Sequence, residues 1–212
     1  MKPVLCISQR VDVVHPYGER RDALDQQWAH FAHEFDLVLV PLANHAASAR
    51  RVLEAVVPTG LILSGGNDLA VAALPGTAPE RDALERECLA WAQAAGCPVL
   101  GVCRGFQALN LHCGGTLSRV TGHVACRHAL TAICDAGPIN VPAEVNSFHN
   151  FGISTSSLAP DIIAVAHAGD GSIEAFRHRL LPWYGIMWHP ERERPFRNAD
   201  GATLQRIFGR SL

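Results

Sequence analysis

Cys97-Pro98-Val99-Leu100-Gly101-Val102-Cys103-Arg104-Gly105-Phe106-Gln107-Ala108-Leu109-Asn110-Leu111 carries the reading of this chain. An apolar run, a Cys-Arg-Gly and a helix-like run follow one another, which is the order strand, tight turn, helix. The flanking glycines let the backbone reverse sharply and pass close to its neighbours. The turn therefore presents a thiol at a helix N-terminus, where unpaired N–H groups favour thiolate over thiol. Cys103 reads as a nucleophile that needs a base, and His189-Pro190-Glu191 offers one near the other end of the chain.

Outward from this stretch the same alternation repeats. Residues 4–7 read as a buried strand, followed by a polar loop through Tyr17 and Gly18 and a helix with Leu24, Trp28 and Phe31 on one face. A strand at 37–40 closed by Pro41, a helix at 47–56 and a strand at 60–63 come next, the last running into the loop Ser64-Gly65-Gly66-Asn67-Asp68. Thr77-Ala78-Pro79-Glu80 has the spacing of a capping box, with Leu84, Cys88, Trp91 and Ala95 as the apolar stripe behind it. Alternating β and α segments predict an α/β fold with a mostly parallel central sheet flanked by helices. Ligands in such sheets gather where strands end, so the loops at 64–68 and at Cys103 are expected to meet. Beyond Thr116 the segments shorten, at 129–133, 144–148, 162–167, 173–178 and 183–188, and predict an added, mostly antiparallel portion in the C-terminal half. A short helix over 203–208 ends the chain.

Composition narrows the chemistry. The 212 residues fit one domain, 1–212, able to close a core without staples. The 20 acidic and 18 basic side chains nearly cancel, which argues against nucleic-acid or membrane partners and for small-molecule or protein partners, with a homo-oligomer left open. Lys2 is the sole lysine, so Schiff-base and phosphate-loop lysine chemistry are excluded. Seven cysteines without a C-x-x-C pair, and no run of spanning length, suit a reduced, cytoplasmic chain. The six cysteines other than Cys103 read as small core residues. Eleven histidines raise the question of a metal, yet there is no H-E-x-x-H, and no P-C-x-x-C follows His189-Pro190-Glu191, so no metal is expected. Nucleotide fingerprints are absent too, and no cofactor is expected.

A thiol, a base and a group to orient that base are the parts of nucleophilic acyl transfer, and Cys103, His189 and Glu191 can fill these roles. On an extended segment residues two apart point the same way, which would let His189 and Glu191 act together with Pro190 turned aside. The oxyanion would be held by two backbone N–H groups, Arg104 at the helix start and Gly66 in the glycine loop.

Gly101-Val102-Cys103-Arg104-Gly105-Phe106-Gln107, Leu63-Ser64-Gly65-Gly66-Asn67-Asp68 and Trp188-His189-Pro190-Glu191 together resemble the class I glutamine amidotransferase-like hydrolases, specifically the γ-glutamyl hydrolase branch called peptidase C26. The resemblance implies a flavodoxin-like architecture and a γ-glutamyl thioester on Cys103, with His189 as base and then acid and Glu191 orienting it. It implies substrate contacts at Asn67, Asp68 and Gln107, and at Ser147 and His149 of Val145-Asn146-Ser147-Phe148-His149-Asn150. Arg81-Asp82-Ala83-Leu84-Glu85 matches a helix motif of the branch, which ion pairing along a helix face explains equally well. Ile7-Ser8-Gln9-Arg10, Asp170-Gly171-Ser172-Ile173-Glu174-Ala175-Phe176 and the stretch from Tyr184 to Phe196 resemble the γ-glutamyl-CDP-amidate hydrolases of capsule phosphoramidate biosynthesis. A diphosphate on the substrate would call for guanidinium groups, and Arg10, Arg192 and Arg194 are available. Hydrolysis of γ-glutamyl-γ-aminobutyrate or another γ-glutamyl amine, a glutaminase component of a two-part amidotransferase that needs its synthase partner, and a binding module without chemistry are the competing readings.

Overall fold

The computed structural model of the protein describes residues 2–72 and 76–209. From the N-terminus, β1 (Val4–Ile7) leads into a hairpin of β2 (Arg10–Val14) and β3 (Glu19–Ala23), then α1 (Gln27–Glu34), β4 (Val38–Pro41) and α2 (Ala46–Val56). β5 (Gly60–Leu63), α3 (Pro79–Ala95), β6 (Val99–Val102) and α4 (Arg104–His112) complete the first half. The second half adds β7 (Ser118–Arg119), β8 (Val124–Ala132), β9 (Glu144–Phe148), β10 (Phe151–Gly152), β11 (Ile162–Ala168), β12 (Ile173–His178), β13 (Trp183–Ile186) and α5 (Asn198–Phe208).

Nine of these strands form one sheet in the order β4-β1-β5-β6-β13-β12-β11-β8-β9. The first five run parallel and the next four alternate in direction. β5 and β6 are buried at every position, as strands covered by helices on both faces must be. β8 instead mixes half-buried and exposed residues, which suits an antiparallel extension open to solvent on one side. The core runs through both halves, from Leu5, Ile7 and Phe31 to Phe106, Phe176 and Trp183.

Several local expectations change. The polar segment after β1 is a hairpin rather than a loop; only Val11 of it is buried, and β3 is Glu-Arg-Arg-Asp-Ala, so there is little apolar alternation to betray it. Leu24 lies before α1, not on it. α3 begins at Pro79 with Ala78 as an N-cap that has no side-chain bond, so no capping box forms; proline suits this first position, where its missing N–H is not needed. Ala95 is exposed, and Leu89 and Ala92 take its place in the core stripe. α5 starts five residues earlier than expected. Cys6, Cys88 and Cys97 are core residues, but Cys113 and Cys126 are half-buried and Cys134 is exposed.

The placement that matters most is β13. It lies beside β6 in parallel register, Ile186 opposite Val102, so the segment leaving β13 emerges next to the turn leaving β6. The Cys103 N–H continues that ladder by donating to the Ile186 carbonyl (2.9 Å).

Candidate active site

Cys103 sits between the last residue of β6 and the first of α4, with φ +52° and ψ −102°. Side chains rarely tolerate that backbone, and the strain is held by close packing on both sides. A Cβ on Gly105 would lie 2.0 Å from the Leu63 carbonyl oxygen, so the start of α4 seats directly against β5 only because that residue is glycine. The sequence-predicted meeting of the two loops follows from this contact: Gly66, Asn67 and Asp68 share a pocket with Cys103, Arg104 and Gln107. Arg104 occupies the first helical position, where the backbone N–H has no partner within the helix.

A buried ionic cluster braces both backbone positions from behind. Arg81 donates to the carbonyls of Ser64 (2.6 Å), Gly65 (2.9 Å) and Gly66 (3.3 Å), and to Glu85 (3.0 Å). Glu85 in turn accepts from Ser8 (2.8 Å) and from the Arg104 guanidinium, which also bonds Asp82. Burial, with Arg104 close by, lowers the Arg81 guanidinium to about 10, while the two arginines outweigh burial and hold Glu85 below the usual carboxylate range. The pairing along one helix face expected at Arg81 and Glu85 exists, but it turns inward and grips the glycine loop.

His189 follows β13 in extended conformation and begins a 3-10 turn over Pro190–Arg192. The pairing with Glu191 therefore comes from a turn, not from the alternation of an extended strand. The Nδ1–H donates to Glu191 Oε1 at 2.7 Å, leaving Nε2 for the sulfur side. Burial works against protonating the ring, yet the charges of Glu191 and Cys103 prevail and push it up to about 10. The ring lies on the glycine loop, since a Cβ on Gly65 would come within 2.6 Å of Cε1. Asn146 fixes its backbone from β9, accepting from the His189 N–H (2.9 Å) and donating to its carbonyl (2.8 Å). Burial raises the thiols of Cys6 and Cys113 to about 11 and of Cys97 to about 12, which keeps those sulfurs protonated and inert.

Two recesses flank this centre. One is lined by Gly66, Asn67, Asp68, Cys103, Gln107 and His149. The other joins Gly65, Gly66, His189 and Glu191 to Arg10 and Arg192. Arg10 is paired with Asp12 (2.7 Å), and Arg192 stacks over Phe148 at 4.9 Å. Arg194 is turned away, over Phe196. The Asn67 side chain is spent on the Val11 backbone, accepting at 2.7 Å and donating at 2.9 Å, so it tethers the hairpin to the loop. Gln107 donates to the Phe151 carbonyl (2.8 Å) at the recess wall. Ser147 is buried and donates to the His123 carbonyl (2.7 Å), and His149 Nε2 is directed toward Glu174 (3.5 Å). Ser8, Glu85 and Asn146 lie within the motifs quoted above, but their bracing roles have no local signature, because each works through contacts far apart in sequence.

Residues 8–191 match the family model described as Peptidase C26, and the chain belongs to that family. It is 29% identical over 91% of its length, and 92% of the relative's, to a γ-glutamyl-CDP-amidate hydrolase of Campylobacter jejuni. It is also 29% identical over 62% of its length, and 64% of the relative's, to a glutamine-hydrolysing GMP synthase subunit of Methanocaldococcus jannaschii. A glutamine amidotransferase of Thermotoga maritima superimposes with a TM-score of 0.73 at 14% identity, covering 99% of this chain and 100% of that one, which establishes the class I glutamine amidotransferase fold. Among the described residues no helix is long and apolar enough to cross a membrane.

Proposed function

We propose that the protein is a stand-alone γ-glutamyl hydrolase using Cys103, His189 and Glu191, with γ-glutamyl-CDP-amidate as its substrate. The observation that carries this reading is the division of the site: one recess meets Cys103 beside Gln107, and the other meets His189 beside Arg10 and Arg192. We assign the glutamyl group to the first and a leaving group bearing a diphosphate to the second, where Arg10 and Arg192 would exchange the neighbouring Asp12 and Asp25 for phosphate oxygens. The Campylobacter jejuni relative's name supports the same substrate.

In this mechanism the Cys103 sulfur attacks the γ-carbonyl carbon, and the resulting oxyanion receives hydrogen bonds from the N–H groups of Gly66 and Arg104. His189 passes its proton to the departing nitrogen as the C–N bond breaks, leaving a γ-glutamyl thioester and cytidine diphosphoramidate. The neutral ring then takes a proton from water, the hydroxyl adds to the thioester, and glutamate leaves as the sulfur is released. Glu191 keeps the ring oriented and offsets its charge in both halves.

Measuring kcat/KM for γ-glutamyl-CDP-amidate, γ-glutamyl-γ-aminobutyrate and glutamine side by side tests the reading. The nucleotide substrate is expected to lead, and Arg192→Ala to reduce its kcat/KM while sparing that of the aminobutyrate compound. A large preference for the aminobutyrate removes the nucleotide. Turnover of none of the three favours a glutaminase that works only with a synthase partner, in line with the name of the archaeal GMP synthase relative.

A further inference from the structure

We propose that His123, His128, His149 and Glu174 form a binding site for a divalent transition-metal ion, zinc being the best fit, next to the Cys103 recess. Glu174 on β12 is 0% exposed, and three imidazoles from three other segments converge on its carboxylate. His128 Nε2 lies 3.4 Å from Oε2, while His149 Nε2 and His123 Nδ1 lie 3.5 and 3.8 Å from Oε1. These separations are too long for good hydrogen bonds, and His123 Nδ1, His128 Nε2, His149 Nε2 and Glu174 Oε2 are all buried without a hydrogen-bond partner.

Four orphaned polar atoms in one place would be a heavy desolvation cost if nothing joined them. The 3.4 and 3.5 Å separations to His128 and His149 come close to the edge of a coordination polyhedron, since ligands about 2.0–2.1 Å from a tetrahedral zinc stand about 3.3 Å apart, and His123 at 3.8 Å would be drawn inward. One ligand atom each from His123, His128 and Glu174 already lies within 4.8 Å of the other two, and His149 approaches the same carboxylate from the recess side.

The surrounding bonds independently point to a metal. A ligating histidine characteristically gives its second ring N–H to a carboxylate or a carbonyl, which fixes the tautomer and aims the free nitrogen. His123 Nε2 bonds Asp170 Oδ2 (2.9 Å), and His149 Nδ1 bonds the Phe151 carbonyl (3.0 Å). Asp170 is itself held by the N–H (3.0 Å) and hydroxyl (2.7 Å) of Ser172. Three imidazoles and one carboxylate suit zinc and its transition-metal neighbours, whereas calcium and magnesium prefer all-oxygen shells. Contiguous motifs could not disclose this set, because its members come from β8, the segment before it, the β9–β10 turn and β12.

Four protein ligands would complete a tetrahedral site, so the ion acts as a clamp rather than a reagent. What it clamps is the wall of the acyl recess. Gln107 and His149 share the Phe151 carbonyl, and His149 and Phe148 line the recess with Cys103.

The test uses the full chain without a polyhistidine tag, stripped with chelator and then titrated with Zn²⁺ or Co²⁺ before desalting and metal analysis. One ion per chain is expected, with visible ligand-field bands from tetrahedral Co²⁺ and no sulfur-to-cobalt charge-transfer band. His128→Ala, at the half-buried edge, should abolish stoichiometric uptake. Asp170→Asn, nearly half exposed, should fold normally and weaken the affinity about 10–100-fold by freeing the His123 ring. Failure of the wild-type chain to retain either ion overturns the proposal, and so does a thiolate charge-transfer band together with unchanged affinity in Asp170→Asn. None of these readouts depends on the identity of the substrate.

Discussion

Glu85, behind Arg104, and Glu174, behind His149, are buried carboxylates backing the Cys103 recess, 2% and 0% exposed, and they are treated in opposite ways. Glu85, in the parallel half, accepts from a serine and two arginines. Glu174, in the antiparallel half, faces three imidazoles at 3.4–3.8 Å, with Ser172 at the hydrogen-bond limit of 3.5 Å. A buried charge needs a counter-charge brought close within the fold, and Glu85 has one. The spacing around Glu174 instead leaves room for a cation between the groups. The two halves therefore stiffen the same recess differently, one with guanidiniums supplied by the sequence and the other with a coordination set.

The largest effect should separate chemistry from both frameworks. Cys103→Ala removes the nucleophile while touching neither carboxylate, so turnover should fall by about 10⁵-fold or more. Melting temperature and metal uptake should stay at wild-type values. Residual hydrolysis near the wild-type rate would move the nucleophile elsewhere. His189→Ala should match that loss, whereas Glu191→Gln should cost about 10³–10⁴-fold, since the base survives without its orienting charge. A Gln variant slower than the Ala variant would give Glu191 a second duty.

The contrast between the halves also explains what could be read from sequence. Cys103 and the Gly65-Gly66 loop were legible because each imposes a local backbone requirement, an elbow against β5 and a loop under an imidazole, whereas His189-Pro190-Glu191 was legible as a motif but not as the turn that folds the carboxylate back on the ring. The parallel core was legible because its strands are short and apolar, and β5 and β6 at its centre are buried at every position. The hairpin was not, since β3 has no apolar face. Asn146, which holds the His189 backbone, and Ser8, which bonds Glu85, depend on partners 43 and 77 residues away. The cluster around Glu174 lay hidden for the same reason. Eleven histidines were visible, but only the antiparallel register brings three of them together.

Glu85 and Arg81 allow the internal-cation side of the comparison to be broken directly. Arg81→Met leaves Glu85 with Arg104 but releases the Ser64, Gly65 and Gly66 carbonyls, so two readouts should move together. Unfolding in urea should show a loss of about 3–5 kcal/mol, the usual result of removing one member of a buried pair. The rate constant kcat should drop by about 10²-fold as the Gly66 N–H loses its aim, with metal uptake unchanged. A loss of stability with kcat intact would make the cluster a structural feature of α3 alone, and the brace on the oxyanion loop would have to be abandoned.

The smallest effect concerns protons. His189 is hydrogen-bonded to Glu191 at 2.7 Å, unlike the imidazoles around Glu174, and its folded-state pKa stands near 10 against an ordinary 6.5. A raised pKa means that the folded protein holds this proton more tightly than the unfolded chain. The resulting stabilisation is complete below about pH 6.5 and is lost as pH climbs through the folded value near 10. The difference in melting temperature between wild type and His189→Gln should accordingly be widest at acidic pH and shrink across that window. A difference that stays flat from pH 6.5 to 10 would mean that the ring is neutral in the resting protein.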